Sequence, residues 1–191
     1  MNITVYAASS GQVPADYVEV ARRLGAEIAQ RGHVLYNGAG RLGLMAATTE
    51  GCLAAGGKAV GVIPEFMIEQ SWQHTGMSEL IITRDMHERK ERLAQESQAC
   101  IALPGGCGTM EELLEIITWK QLGLYLNPIV ILNIGGFYDA LLSQLEKASA
   151  EHFMRPLHLN LWRVALSAEE AVKMCEETPL WDASLRKYAA L

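Results

Sequence analysis

Short apolar runs alternate with segments of helical periodicity along all of this 191-residue chain, and that alternation restricts the fold more than any other feature. The runs are Ile3–Tyr6, His33–Tyr36, Ala59–Ile63, Glu79–Thr83, Ala99–Leu103 and Pro128–Asn133. Most are apolar throughout rather than at every second position, the mark of strands buried on both faces, and hence of a parallel sheet covered by helices on either side. Between them lie helical segments with recognisable ends. Pro14 suits a first turn, Gly32 closes the first helix, Asp85 can cap a helix from Met86 to Gln95, and Ser167 to Glu170 forms a capping box. The stretch Glu65–Ser78 reads as irregular. No linker, repeat or low-complexity segment divides the chain, so residues 1–191 are expected to form one domain.

In such sheets ligands bind beyond the carboxyl ends of the strands. Three segments rich in Gly or Ser fall there, after the first, second and fifth strands. The formal net charge of −6 argues against a polymeric nucleic acid or an anionic membrane as partner, but leaves room for a small anion held by local amides and a few cations. Cys52, Cys100, Cys107 and Cys175 form neither a C-x-x-C pair nor a zinc-type spacing. Buried free thiols in a reducing cytoplasm are the expectation, with no metal site. Met1–Ala7 starts directly as a strand, without a charged leader region, and Leu113–Leu132 is interrupted by Glu115, Lys120, Gln121 and Asn127. Neither a signal peptide nor a membrane span is expected.

The fifth strand runs into Pro104, Gly105, Gly106, Cys107, Gly108 and Thr109, followed by a helix expected from Met110 to about Leu122. Glycines let backbone amides approach a phosphate, and a helix start adds unpaired donors and partial positive charge. Thr109 with Glu112 also fits a capping box, so a plain turn before a capped helix is the competing interpretation. A second glycine run, Gly38-Ala-Gly40-Arg-Leu-Gly43, matches the dinucleotide fingerprint, with Glu65 lying 22 residues beyond it. It follows the second strand rather than the first, which weakens the match. Arg89 and Lys90 begin near the same sheet end, although taken alone a solvated charged face is the better account of them. Leu113, Leu114, Ile116, Ile117, Trp119, Leu122, Leu124, Tyr125 and Leu126 carry more apolar surface than one helical stripe needs. Either full burial or a subunit interface accounts for that, and a homodimer or larger assembly is expected.

Together these residues resemble a known family. Met86-His-Glu-Arg-Lys90, then Pro104 to Glu112 as P-G-G-x-G-T-x-x-E, then Thr118, Trp119, Gln121, Leu122 and Gly123 are similar to the Lonely Guy family of cytokinin-activating nucleoside 5′-monophosphate phosphoribohydrolases, whose members are often labelled lysine decarboxylases. The likeness runs from Val5–Ser10 through Gly43-Leu-Met45, Gly61–Pro64 and Ile131–Asn133 to about Ala171. It implies an α/β fold: a Rossmann-like doubly wound parallel sheet of six or seven strands flanked by helices, at least dimeric. It also implies hydrolysis of the N-glycosidic bond of an adenine-type nucleotide, without a cofactor. Arg89 and Glu112 would be the catalytic pair. Lys90, Gly105, Gly106, Cys107, Gly108, Thr109, Met110, Glu111 and Thr118 would surround the substrate, with Ser9 and Gly40 beside it.

Three departures bear on the pocket. The family's Y-G-G-G is Asn37-Gly-Ala-Gly40 here, so Ala39 is expected to narrow it. The family's C-G-S-S is Ala7-Ala-Ser-Ser10, and Ser71 stands where many members carry a Glu, with Glu69 two residues earlier. A first-turn Glu112 would be kept ionised by the helix dipole and would steady the sugar cation or orient water. Arg89, always charged, would act electrostatically. Two other functions share the same glycine loops: a non-enzymatic carrier of a nucleotide or molybdenum cofactor, and an NAD(P)-dependent oxidoreductase using Gly38–Gly43.

Overall fold

The computed structural model describes residues 1–188. Seven parallel strands form one sheet: β1 (Asn2–Tyr6), β2 (Val34–Asn37), β3 (Lys58–Pro64), β4 (Glu79–Thr83), β5 (Ala99–Ala102), β6 (Ile129–Leu132) and β7 (Arg163–Ala165). The helices joining them are α1 (Ala15–Gln30), α2 (Gly43–Ala54), α3 (Glu65–Glu69), α4 (Met86–Glu96), α5 (Cys107–Gln121), α6 (Asp139–Ala150) and α7 (Ala168–Glu177). The strand order is β4-β3-β2-β1-β5-β6-β7. The chain therefore winds outward from β1 in one direction, then restarts at β5 and winds in the other. β1 and β5 pair in parallel with Tyr6 opposite Ala102, and the crevice beyond those two residues is the topological switch point.

The doubly wound architecture follows from strand side chains alternating between two apolar layers. Ile3, Val5, Leu35, Ile101, Val130 and Leu132 pack against α1, α2 and α7 on one face. Tyr6, Tyr36, Val60, Val62, Ala102 and Ile131 meet Leu93 of α4, Leu113 and Ile116 of α5, and Tyr138 on the other. Helices α1 and α2 touch backbone to backbone. A Cβ on Gly25 would lie 1.9 Å from the Thr48 carbonyl oxygen, and one on Gly51 would lie 1.9 Å from that of Arg22.

Two elements escape the sequence pattern. β7 has three residues, too short to show a period, and the supposedly irregular stretch after β3 opens with the five-residue α3, none of whose side chains is buried. Cys52, Cys100 and Cys175 are buried free thiols, whereas Cys107 is exposed. No helix among the described residues is long and apolar enough to cross a membrane.

Candidate active site

The site lies at the switch point, where the loops after β1, β2, β3 and β5 converge. Two adjoining cavities share Ser9, Met45, Met67 and Arg89 as a common wall. The polar one, about 340 Å³, is bounded by Ala7–Ser10, Gly106, Gly108, Thr109, Glu111 and Glu112. The apolar one, about 390 Å³, is bounded by Gly38, Gly40, Leu42, Ile63 and Trp72, with Arg41 at its edge.

Arg89 spans the junction. Asp85 caps α4 by accepting from the Glu88 amide, and that cap sets Arg89 one turn into the helix, beneath the end of β3. Its Nε donates to the Val62 carbonyl at 3.1 Å and its Nη1 donates to Glu112 Oε1 at 2.8 Å. The two side chains are only 7% and 8% exposed. The guanidinium lies over Gly38, where a Cβ would come within 1.7 Å of Nη2. That glycine is required by the arginine, not by a turn.

The helix after the glycine loop begins at Cys107, three residues earlier than the sequence pattern suggests. Gly106 is its N-cap, without a side-chain cap bond. Thr109 therefore sits inside the first turn, and the expected Thr109–Glu112 capping box does not form. Instead Thr109 folds back against Gly105, where a Cβ would meet Oγ1 at 2.1 Å. The first-turn amides of Cys107, Gly108 and Thr109 have no intrahelical carbonyl to bond. Glu112 moves to the second turn and is buried. Burial pushes its carboxyl above the usual carboxylate range, while the Arg89 guanidinium pulls the other way. Its ionisation is thus governed by desolvation and Arg89 rather than by the helix dipole, contrary to the expectation from sequence.

The other expected residues divide into groups. Ser9, Gly106, Gly108, Thr109 and Glu111 border the polar cavity, and Gly40 borders the apolar one. Gly105 backs the loop. Lys90 borders neither cavity: it is buried between α4 and α5, paired with Glu111 and, at 3.0 Å, with Glu115. Burial draws its ammonium down, but those two carboxylates outweigh burial and raise it above an ordinary lysine. Cys107, Met110 and Thr118 face an open groove on the outer side of α5, together with Glu111, Leu114 and Glu115, and the Thr118 hydroxyl donates to the Leu114 carbonyl at 2.8 Å. Within one subunit these three are not gathered around the Arg89–Glu112 pair.

One expectation about the second glycine run is corrected, and one alternative reading of it loses support. Ala39 does not narrow the pocket: it adopts φ 58°, is fully buried, and its methyl packs on Gly61, where a Cβ would lie 2.6 Å away. The run is also poorly placed to cradle a pyrophosphate, because three of its amides are already bonded, as is that of Met45 just beyond it. Ala39 N donates to Asn37 Oδ1, Gly40 N to Met45 Sδ, Arg41 N to the Trp72 carbonyl, and Met45 N to the Ala8 carbonyl. A Cβ on Gly43 would meet the Ala8 and Ser10 carbonyl oxygens at 2.6 Å, so the β1–α1 loop covers the start of α2. The dinucleotide fingerprint here closes the fold.

Sequence reasoning missed the apolar cavity. Met67 and Trp72 reach it only because residues 72–74 strap back over the β2–α2 loop, with His74 N donating to the Ala39 carbonyl at 2.7 Å and an antiparallel bridge between Gly40 and Gln73. Ser71, at φ 56°, makes the turn into that strap. Nothing local in the sequence announces this pairing.

Residues 45–175 match a family model described as "Possible lysine decarboxylase". The chain is 39% identical over 175 residues to the cytokinin riboside 5′-monophosphate phosphoribohydrolase LOG1 of Arabidopsis thaliana, covering 92% of this chain and 82% of that protein. It is likewise 39% identical to the probable phosphoribohydrolase LOGL1 of Oryza sativa subsp. japonica, covering 92% and 78%. A molybdenum cofactor carrier protein from Chlamydomonas reinhardtii superposes with a TM-score of 0.70 over 92% of this chain and 96% of that one, at 23% identity, a likeness of fold. The matched span contains Arg89, the glycine loop and Glu112, and the chain belongs to the Lonely Guy family of cytokinin riboside 5′-monophosphate phosphoribohydrolases.

Proposed function

We propose that this chain hydrolyses the N-glycosidic bond of adenine-type nucleoside 5′-monophosphates, including N6-modified ones, to a free base and ribose 5-phosphate. The observation that carries the reading is the buried Arg89–Glu112 pair, 2.8 Å apart, across from an uncapped helix start bearing the glycine loop. The phosphate sits on the amides of Cys107, Gly108 and Thr109, with Ser9 opposite. The base occupies the cavity of Met45, Met67 and Trp72, whose thioethers and indole suit a flat ring with an apolar substituent.

Cleavage passes through a sugar with oxocarbenium character. Glu112, whose basicity burial raises, takes a proton from the attacking water and faces the positive charge growing at C1′. As the water oxygen bonds to C1′, the C1′–N9 bond breaks and the base leaves with its electron pair, taking up a proton from solvent while Glu112 returns the water's proton to solvent. Arg89 holds the Glu112 carboxylate in place and stabilises the departing base or phosphate as a fixed cation.

The outer groove of α5 receives a second copy of the chain. Leu114 is exposed in that groove, and Leu122 and Leu124 are exposed just past the end of α5, Leu124 at 72%, apolar surface that a dimer would cover. Thr118, Met110 and Cys107 then act across the interface. The three buried thiols suit a cytoplasmic location. The test is release of adenine or N6-modified adenine from a panel of nucleoside monophosphates. Glu112→Gln and Arg89→Ala should each lower turnover by roughly 10²–10⁴-fold with the fold retained by circular dichroism. Near-wild-type turnover in both variants overturns the assignment.

A further inference from the structure

We infer that the site has a second, aromatic half across the glycine loop, which takes a flat ring esterified to the 5′-phosphate. The chain then acts on 5′-phosphodiesters of the nucleoside as well as on monophosphates. The inference rests on the hydrolase reading above, which puts the phosphate at the start of α5.

A third cavity, about 280 Å³, adjoins the polar one and shares Ala8, Ser10 and Gly106 with it as walls. Both therefore border the crevice between the loops after β1 and β5, which Ala8 N stitches together by donating to the Pro104 carbonyl at 3.2 Å. The polar cavity lies toward Arg89 of α4. This one lies toward the start of α1 and the loop after β6, where Val13, Tyr17, Leu44 and Phe137 complete it. Doubly wound sheets place two nucleotide-binding halves on either side of the switch point, and a two-part ligand crosses the crevice between them. The Arg89 side is one such half, and this cavity is the other.

The chemistry of the cavity selects its occupant. None of its lining residues is charged, so a second phosphate would lose its hydration there and gain no partner. Aromatic surface is what it offers instead. The Tyr17 and Phe137 rings meet edge to face at 6.1 Å, and Phe137 meets Tyr138 in the same way at 5.0 Å, yet Phe137 is still 39% exposed. Its position is built in advance. Gly135 and Gly136, at φ 59° and 73°, turn the chain after β6. Tyr138 then anchors the turn, its amide donating to Asn133 Oδ1 at 2.8 Å and its hydroxyl to the Leu103 carbonyl at 2.7 Å. A ring held this way gives up little freedom on meeting a ligand. A cavity of about 150 Å³ already accepts benzene, so one ring fits. With the phosphate between the halves, sugar and base lie on the Arg89 side and the ester group on the Phe137 side. The bond broken is unchanged: water adds to C1′, the base leaves, and the phosphodiester stays intact on the ribose.

The experiment compares the methyl and phenyl esters of AMP, which carry the same charge and differ only in the ring. Adenine release gives kcat/KM for each, and calorimetry gives Kd. The wild type should favour the phenyl ester by about 2- to 10-fold, the range of one aromatic pair. Tyr17→Ala should bring the two esters to parity. Val13→Trp, which fills the cavity, should put the phenyl ester below the methyl one. Turnover of unesterified AMP should persist in both variants, showing that the fold stands. Parity or a methyl preference in the wild type, or a phenyl preference that survives both variants, overturns the inference. So does failure of either ester to bind where AMP binds. If the wild type released no base from any nucleotide, the hydrolase reading would fall, and the Kd ratio of the two esters would still decide the aromatic half.

Discussion

Gly38→Ala is the most incisive single change at this site, because the structure specifies what the added methyl strikes. The new Cβ would lie 1.7 Å from Arg89 Nη2, so the guanidinium must retreat at least 1.3 Å to reach even a very tight 3.0 Å contact. An arginine tip is ordinarily free to move. Here it is 7% exposed and pinned by Val62 O at 3.1 Å and Glu112 Oε1 at 2.8 Å, so retreat breaks one or both bonds. Disrupting a buried, hydrogen-bonded ion pair costs about 3–5 kcal/mol. Expressed wholly in the transition state at about 1.36 kcal/mol per decade, this is a loss of roughly 10²- to 10⁴-fold in kcat. Adenine release from AMP measures that loss, and thermal unfolding measures any part felt by the fold. Gly40→Ala is the milder comparison: its Cβ meets the Met45 thioether at 2.9 Å and Ser9 Cβ at an ordinary 3.7 Å, so it displaces a flexible thioether bonded by the Gly40 amide rather than a buried ion pair. Wild-type kcat and Tm in Gly38→Ala would refute the claim that Arg89 is locked by its neighbours.

Three further outcomes follow from other parts of the molecule. At Gly108 a Cβ meets nothing within 4 Å, so Gly108→Ala should stabilise α5 by about 0.5–1 kcal/mol while crowding the phosphate and raising KM for AMP; a raised Tm with unchanged KM would remove the phosphate from this loop. Burial draws the ammonium of Lys120 down to about 8 from the ordinary 10.5, so between those pH values the unfolded chain binds more protons than the folded one. Stability should accordingly rise by about 3 kcal/mol across that window, and Lys120→Met should flatten the rise in a series of denaturant titrations. Leu124→Glu places a charge on the exposed apolar face beyond α5 and should convert a sedimenting dimer to monomer at micromolar concentration; a wild-type monomer would place no second copy there.

Much of this protein was legible from local pattern. Fully apolar strands such as Ala99–Leu103 can only be buried on both faces, so the parallel sheet and its ligand-bearing end follow from periodicity and chain order. Glycines next to Thr109 at the ligand end of the sheet suggest a phosphate, whereas Arg89 shortly after a strand gains meaning only from the motif it shares with the family. What local pattern misjudged are features decided by contacts distant in sequence. Thr109 and Glu112 satisfy a capping box on paper, yet α5 starts at Cys107, and Glu112 is buried against an arginine 23 residues upstream. Its charge state is therefore set by desolvation and Arg89. Gly38–Gly43 satisfies a dinucleotide fingerprint, yet the amides of Ala39, Gly40 and Arg41 within it are taken by Asn37, Met45 and Trp72.

The sequence by itself determined the sheet, the end of it where the glycine loops gather, and the residue types there, since each depends on spacing within a few residues. Only the tertiary structure decided how the amides of the two glycine runs are engaged, which carboxylate is buried and which exposed, and where the apolar cavity lies. Those outcomes depend on which backbone amides and charges are already satisfied by partners from other strands, and burial makes each such pairing too costly to exchange for another.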